Sequence, residues 1–221
     1  MRSLPLPVTL TARLLPVAVL ACAGWAYSGP MAEQSASKDR SESAPQSSSA
    51  PDEPGESVAP KTFAKPPAPC AALPTSTVKS LVPDAKTAGK ELSATDESVR
   101  RGCSWSALKG YDYRWLDVSF EVKDSDDLAK KAFASGAGEK RTSPLKGLGD
   151  EARVTSSLTT KDKQDTRESV VTVRSGNMLL TVTYNGSDFE SKGAPSNDTV
   201  IRGARKAAGD AAASLDSDKG S

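Results

Sequence analysis

Tyr111-Asp-Tyr-Arg-Trp-Leu-Asp-Val-Ser-Phe-Glu-Val122 alternates between apolar and polar side chains, most regularly in its second half. Positions 116, 118, 120 and 122 hold Leu, Val, Phe and Val, and the positions between them hold Asp, Ser and Glu. Because neighbouring side chains of a strand point to opposite faces, this pattern predicts a β-strand with one apolar and one polar face. Such a strand is typical of a sheet that packs against helices on one side.

Two later segments predict a β-hairpin. Residues 169–174 and 178–184 are rich in Val, Leu and Thr, and they flank Ser175-Gly-Asn177. Strand-like segments joined by a short glycine-containing turn are a hairpin signal. The side chains expected to face inward are Val171, Val173, Leu180 and Val182.

Three segments predict helices, at residues 75–82, 125–133 and 196–215, because their apolar residues recur at helical spacing. Gly203 and Gly209 either weaken the last helix or allow it to pack closely on the sheet. The order of helices and strands predicts an α+β fold: a single domain in which an antiparallel sheet packs against helices, with one disulfide.

The first 30 residues predict a signal peptide or membrane anchor. They carry two arginines, no acidic residue and an apolar stretch from residue 14 to residue 27. Val19-Leu-Ala-Cys22 resembles the lipobox of bacterial lipoproteins, although leucine usually stands where Val19 does. The resemblance implies lipidation of Cys22. The alternatives are an apolar signal-peptide core that happens to contain a cysteine, and an uncleaved signal anchor.

Residues 31–69 predict a disordered linker. Of these 39 residues, 22 are Pro, Ser or Ala, and the large apolar residues are Met31, Val58 and Phe63. A segment of this composition buries too little apolar surface to offset the entropy of ordering it. The extracytoplasmic domain is therefore expected to span residues 70–221.

The composition excludes several chemistries. The chain has no histidine and three cysteines, so it holds no Ser-His-Asp triad and neither a His-based nor a four-cysteine metal site. With 29 basic and 28 acidic residues it has no general attraction for nucleic acid. In an exported chain we expect Cys70 and Cys103 to form a disulfide, with two free thiols as the alternative.

Several short motifs together resemble a family of actinobacterial secreted and lipid-anchored proteins of unknown function. They are Pro69-Cys70-Ala-Ala-Leu73, Cys103-Ser-Trp105 and Gly147-Leu-Gly-Asp-Glu-Ala152. The resemblance implies a lipidated Cys22, a Ser/Pro-rich spacer and an α+β domain with Cys70 and Cys103 paired. It implies no catalytic residues and no cofactor.

Tyr111, Tyr113 and Trp115 are the candidate ligand-binding residues. In a regular strand they share the face opposite Leu116, Val118 and Phe120. They form either an exposed platform for sugar rings or an apolar ligand, or a second core covered by the first helix, Trp105 and the disulfide. The second interpretation is the more common arrangement for aromatic residues.

These observations predict a binding module attached to the outer face of the cell membrane through its N-terminus, and not an enzyme. Its ligand or protein partner in the envelope is not identified by the sequence. A carboxylate-dependent enzyme that acts on envelope polymers and an accessory subunit of an envelope complex are the alternatives. The carboxylate pairs Asp126-Asp127 and Asp150-Glu151 are the candidates for such an enzyme, and the first is better explained as charge at a helix N-terminus.

Overall fold

The computed structural model describes residues 61–136 and 142–218. After a short 3-10 helix at Pro69–Ala71 come seven strands and three α-helices. In chain order these are α1 (Thr75–Leu81), β1 (Lys90–Leu92), β2 (Arg100–Lys109), β3 (Asp112–Val122), α2 (Asp126–Ser135), β4 (Thr142–Leu145), β5 (Glu151–Lys161), β6 (Gln164–Ser175), β7 (Met178–Asp188) and α3 (Asn197–Asp218).

The seven strands form one antiparallel sheet in the order β1-β2-β3-β7-β6-β5-β4. The hairpins β2–β3, β5–β6 and β6–β7 join neighbouring strands. Helix α2 lies in the connection from β3 to β4, and β4 is the edge strand opposite β1. The predicted α+β class, with an antiparallel sheet packed against helices, is confirmed.

One face of the sheet, the inner face, carries the core. The cross-strand register aligns Val118 with Val182, Val182 with Val171 and Val171 with Val154, so the predicted inward residues of the β6–β7 hairpin meet those of β3. The helices α1 and α3 cover this face. The buried side chains of α3 are Val200, Ala204, Ala207, Ala208, Ala211 and Leu215.

The disulfide between Cys70 and Cys103 is present, with an S–S distance of 2.05 Å. It links the 3-10 helix to β2, and Cys103 is fully buried. A bridge that closes a loop of 33 residues contributes about 3–4 kcal/mol to the free energy of unfolding in the chain-entropy treatment. Disulfides of this kind persist in proteins outside the reducing cytoplasm.

The packed region begins earlier than the sequence predicts. Residues 61–69 fall in the predicted linker, yet Phe63 is buried in the core. The main chain of Phe63 is held by Asn177, whose Oδ1 accepts its N–H at 2.8 Å and whose Nδ2 donates to its carbonyl at 2.9 Å. Burial of this aromatic ring, together with two buried hydrogen bonds, offsets the entropy of ordering the segment.

The signal or anchor segment with Cys22, and residues 31–60 of the predicted linker, lie outside the described residues. Among residues 61–136 and 142–218, no helix is long and apolar enough to span a membrane.

Candidate functional site

The second face of the sheet, the outer face, carries the candidate ligand-binding residues. Side chains of β3 alternate between the two faces, so Trp115 lies on the face opposite the buried Leu116. Trp115 is 39% exposed. The sequence left open a second core that includes Trp105. That interpretation is wrong, because Trp105 pairs with Leu116, lies on the inner face and is only 2% exposed.

Three aromatic rings on this face form a cluster, named here the aromatic cluster: Tyr113, Trp115 and Phe189. The Tyr113 and Trp115 rings are edge to face with centroids 6.4 Å apart, and the Tyr113 and Phe189 centroids are 6.1 Å apart. Phe189 is 41% exposed. Both contacts lie in the range favourable for aromatic pairs, so the rings hold each other in place while remaining accessible.

Tyr111 lies at the edge of the aromatic cluster and joins it through the main chain. It follows Gly110 in the turn between β2 and β3, and its carbonyl accepts the N–H of Phe189 at 2.9 Å. Its side chain is 59% exposed. The structure therefore brings the three predicted aromatic residues to one end of the sheet and adds Phe189.

Phe189 was not predicted to join this surface, because it follows β7 and lies far from β3 in the chain. The β3–β7 register runs to Asp112 opposite Asp188, so the next residue beyond β7 arrives beside Tyr111. The position of Phe189 depends on the long-range pairing of β3 with β7. The apolar alternation of each segment predicts a strand, but it does not specify which strands pair.

Asp117 orients the indole of Trp115. The Trp115 Nε1–H donates to Asp117 Oδ1 at 2.6 Å, between two residues on the same face of β3. This bond satisfies the polar atom of the indole and leaves the hydrocarbon part of the ring exposed. It also joins the aromatic cluster to the polar groove that begins at Asp117.

The groove, with a volume of about 600 Å³, lies between the outer face and the segment from Leu92 to Val99. Its floor is formed by outward side chains of β3 and β7, namely Asp117, Ser119, Glu121, Thr181 and Thr183. Arg100 lies at its border and donates from Nε to Ser119 Oγ at 3.1 Å. The floor of the groove thus presents hydroxyl and carboxylate groups, while the covering segment adds the apolar side chains of Leu92, Ala94 and Val99.

Hydrogen bonds within the covering segment fix its shape. Asp96 Oδ1 accepts from the Ser98 hydroxyl at 2.6 Å and from the Ser98 N–H at 2.8 Å. The side-chain bond, followed by the main-chain bond, lowers the pKa of Asp96 below its usual 3.8. This carboxylate is therefore ionised at neutral pH and holds the turn that closes the groove.

Helix α2 covers the other end of the outer face. Arg153 lies between the inward residues Ala152 and Val154 of β5, stacks on the Phe133 ring at 4.3 Å and donates to the Phe133 carbonyl. Ser125 caps the helix, and its hydroxyl oxygen accepts the N–H of Leu128 at 3.2 Å. The aromatic cluster and the groove therefore occupy the part of the outer face that α2 leaves accessible.

The candidate carboxylate pairs are placed apart from the groove. Asp150 and Glu151 both bind Arg174, at 2.9 Å and 2.6 Å. Asp126 and Asp127 are exposed in the first turn of α2. Within the described parts of the chain, no cluster of three or more His, Cys, Asp or Glu residues is arranged to hold a metal ion.

No protein-family model and no curated protein matches the chain. Two solved structures are similar to part of it. The extracellular domain of PknH from Mycobacterium tuberculosis is 12% identical with a TM-score of 0.31, over 53% of this chain and 64% of that one. A crystal structure from Bacteroides thetaiotaomicron is 8% identical with a TM-score of 0.24, over 50% of each chain. This chain thus covers less than two thirds of either, and its resemblance to an actinobacterial family stays a prediction.

Proposed function

We propose that this protein is a non-enzymatic binding module of the cell envelope, held at the outer face of the membrane by lipidated Cys22. Its binding surface is the aromatic cluster together with the groove beside it. The observation that carries the proposal is the exposure of Trp115 and Phe189 on a rigid sheet. Exposed aromatic side chains next to polar groups are a common feature of binding surfaces.

The location rests on two features. The Cys70–Cys103 bridge fits an oxidising compartment. The lipobox-like sequence at Val19-Leu-Ala-Cys22 supplies an anchor in that compartment. An accessory subunit of an envelope complex would use the same surface to bind a protein partner. The class of ligand therefore distinguishes an accessory subunit from a module that binds another envelope component.

One preparation tests both location and recognition. The mature protein extracted from the membrane fraction with detergent should show, by intact-mass spectrometry, a chain that begins at a lipidated Cys22 and carries the two-proton deficit of the disulfide. The same protein should sediment with detergent-washed cell-wall material. We expect Trp115→Ala to lose most of this sedimentation, because it removes the largest exposed ring of the surface.

Leu158→Ala is the matched control. Leu158 is 42% exposed, and it pairs with Arg167 on the inner side of β5 and β6, away from the aromatic cluster. Sedimentation of this variant should equal that of the unmodified protein. Equal binding by Trp115→Ala and the unmodified protein would contradict the proposed surface, and a reduced, unlipidated chain in the cytoplasm would contradict the location.

A further inference from the structure

We infer that the ligand of this surface is an uncharged oligosaccharide, which lies along β3 with one pyranose ring stacked on Trp115 and further rings in the groove. The inference rests on the proposed function, since it names the ligand class for the same surface.

The Trp115 indole offers a ligand its hydrocarbon atoms. Its N–H is already bonded to Asp117, and the residue is 39% exposed. An aromatic face of this kind packs well against the C–H face of a pyranose. The contact with Tyr113 fixes the orientation of the ring, which lowers the entropy lost on binding.

The groove also offers hydrogen-bonding groups beside the Trp115 ring. Glu121 is paired with Lys123, whereas Arg100 donates to the uncharged Ser119 hydroxyl and keeps its positive charge. Asp117 uses one oxygen for the indole of Trp115 and keeps the other for a ligand hydroxyl. Such a lining suits a chain of hydroxyl groups, which donate to carboxylates and accept from threonines.

The remaining charge of the groove is negative. With Glu121 paired to Lys123, the groove keeps two carboxylates, Asp96 and Asp117, and one guanidinium, Arg100. A phosphorylated or uronic acid glycan would meet like charge here, which is unfavourable. The surface therefore selects uncharged sugars over acidic ones.

The surface extends well beyond Trp115 along the strand. Trp115 and Glu121 lie on the same face of β3 and are six residues apart, which corresponds to roughly 20 Å along the strand. The path from Trp115 passes Asp117 and Ser119 and enters the groove without crossing a helix. A span of this length accommodates several linked rings and favours an oligosaccharide over a single sugar.

The test is calorimetric titration of the detergent-solubilised full-length protein with chitotetraose, cellotetraose and the acidic tetragalacturonate. We expect at least one uncharged tetrasaccharide to bind and tetragalacturonate to bind more weakly. Trp115→Ala should raise the Kd for the bound sugar by about tenfold or more. Trp115→Phe should retain most of the affinity because it keeps an aromatic face.

Asp117→Asn and Leu158→Ala complete the variant set. Asp117→Asn keeps the shape but removes a charged acceptor, so its Kd should rise, whereas the Leu158→Ala control should bind as the unmodified protein does. Circular dichroism of each variant checks that it is folded. Tighter binding of tetragalacturonate than of both uncharged sugars would overturn the inference.

Treatment of the cell-wall material separates a failure of this inference from a failure of the proposed function. Excess soluble chitotetraose and cellotetraose, added to the cell-wall material, should abolish the Trp115-dependent sedimentation, whereas protease treatment should leave it unchanged. If protease removes the sedimentation and neither soluble sugar does, the surface binds a protein and the oligosaccharide inference is wrong. If sedimentation never depends on Trp115, the proposed function itself fails.

Discussion

Asn177 holds three parts of the chain together at one buried position. It follows Gly176, whose φ of 55° is in the left-handed region that glycine adopts without strain, in the turn between β6 and β7. Its side chain bonds both main-chain groups of Phe63 and donates to the Lys123 carbonyl at 2.8 Å. One amide therefore connects the hairpin turn, the segment before the first helix and the end of β3.

Asn177→Ala should lower the free energy of unfolding by about 2–4 kcal/mol, because it leaves the buried main-chain groups of Phe63 without their hydrogen bonds. Urea denaturation followed by fluorescence measures this change. Asn185→Ala is the control, since Asn185 is half-buried and its side chain makes no hydrogen bond to another residue within 61–136 and 142–218. A loss in the control equal to that in Asn177→Ala would contradict the role given to Asn177.

For single residues, the sequence shows which side chains are apolar but not which of them are buried against other residues. Phe63 stands in a Pro-, Ser- and Ala-rich segment, and nothing local indicates that Asn177 will hold it. Conversely, Leu128 is one of the apolar residues whose spacing predicts the second helix, yet it is 46% exposed, because α2 turns Ala129 toward the sheet instead. Both outcomes depend on contacts with residues distant in the sequence.

Among the elements, α3 packs most closely on the sheet at Gly203. A Cβ atom added at Gly203 would lie 2.5 Å from the ring of Tyr184, on β7. The Tyr184 hydroxyl donates to the Leu81 carbonyl at 2.8 Å, so the ring lies between α3 and the end of α1. Of the two alternatives for the glycines of this helix, close packing therefore applies to Gly203.

Gly203→Ala should lower the free energy of unfolding by about 1–3 kcal/mol, because the methyl group forces α3 away from the Tyr184 ring. Gly209→Ala is the matched variant in the same helix, and the nearest atom to its added Cβ, on Leu148, is 3.9 Å away. That substitution should instead raise the free energy of unfolding by about 0.5–1 kcal/mol, through the higher helix propensity of alanine. Thermal unfolding of the two variants checks the difference in sign, and equal changes would contradict the packing argument.

Strand β3, the β6–β7 hairpin and the three helices follow from local periodicity, whereas other elements do not. Strand β2 alternates the buried Cys103 and Trp105 with serines, but its small residues and its two arginines weaken the strand signal. The placement of β7 between β3 and β6 depends on pairing between strands distant in the sequence, which no local pattern specifies. The aromatic cluster depends on that placement, which is why Tyr113 and Trp115 could be predicted and Phe189 could not.

For the whole molecule, the charged groups predict a broad range of constant stability. The chain has no histidine, so it lacks the side chain whose usual pKa lies near neutrality. Three carboxyl groups have pKa values below the usual 3.8: Asp96 through the Ser98 hydroxyl, Asp124 through the hydrogen bond and charge of Lys61, and Asp188 through the Ser191 hydroxyl. Burial raises the pKa of Tyr184 above its usual 10.0, and the charge of Arg114 offsets part of that rise.

The signs of these pKa shifts define an acidic and an alkaline limit of the pH range in which stability is constant. A carboxyl group with a lowered pKa in the folded state adds stability above its unfolded pKa, and this stability is lost as the pH falls through the folded value. A tyrosine with a raised pKa adds stability below its unfolded pKa, and this stability is lost as the pH rises through the folded value. Between these limits no resolved shift makes folding depend on pH.

The melting temperature should therefore stay nearly constant between about pH 5 and pH 9, and should fall below about pH 4 and above about pH 10. Circular dichroism melts across this range measure the profile. Tyr184→Phe should be less stable at neutral pH, because it loses the hydrogen bond to Leu81, and its alkaline decline should be smaller because the titrating hydroxyl is gone. A distinct transition between pH 6 and pH 8 would show that a titrating group outside this set controls folding, and an unchanged alkaline limb in Tyr184→Phe would remove Tyr184 from the explanation.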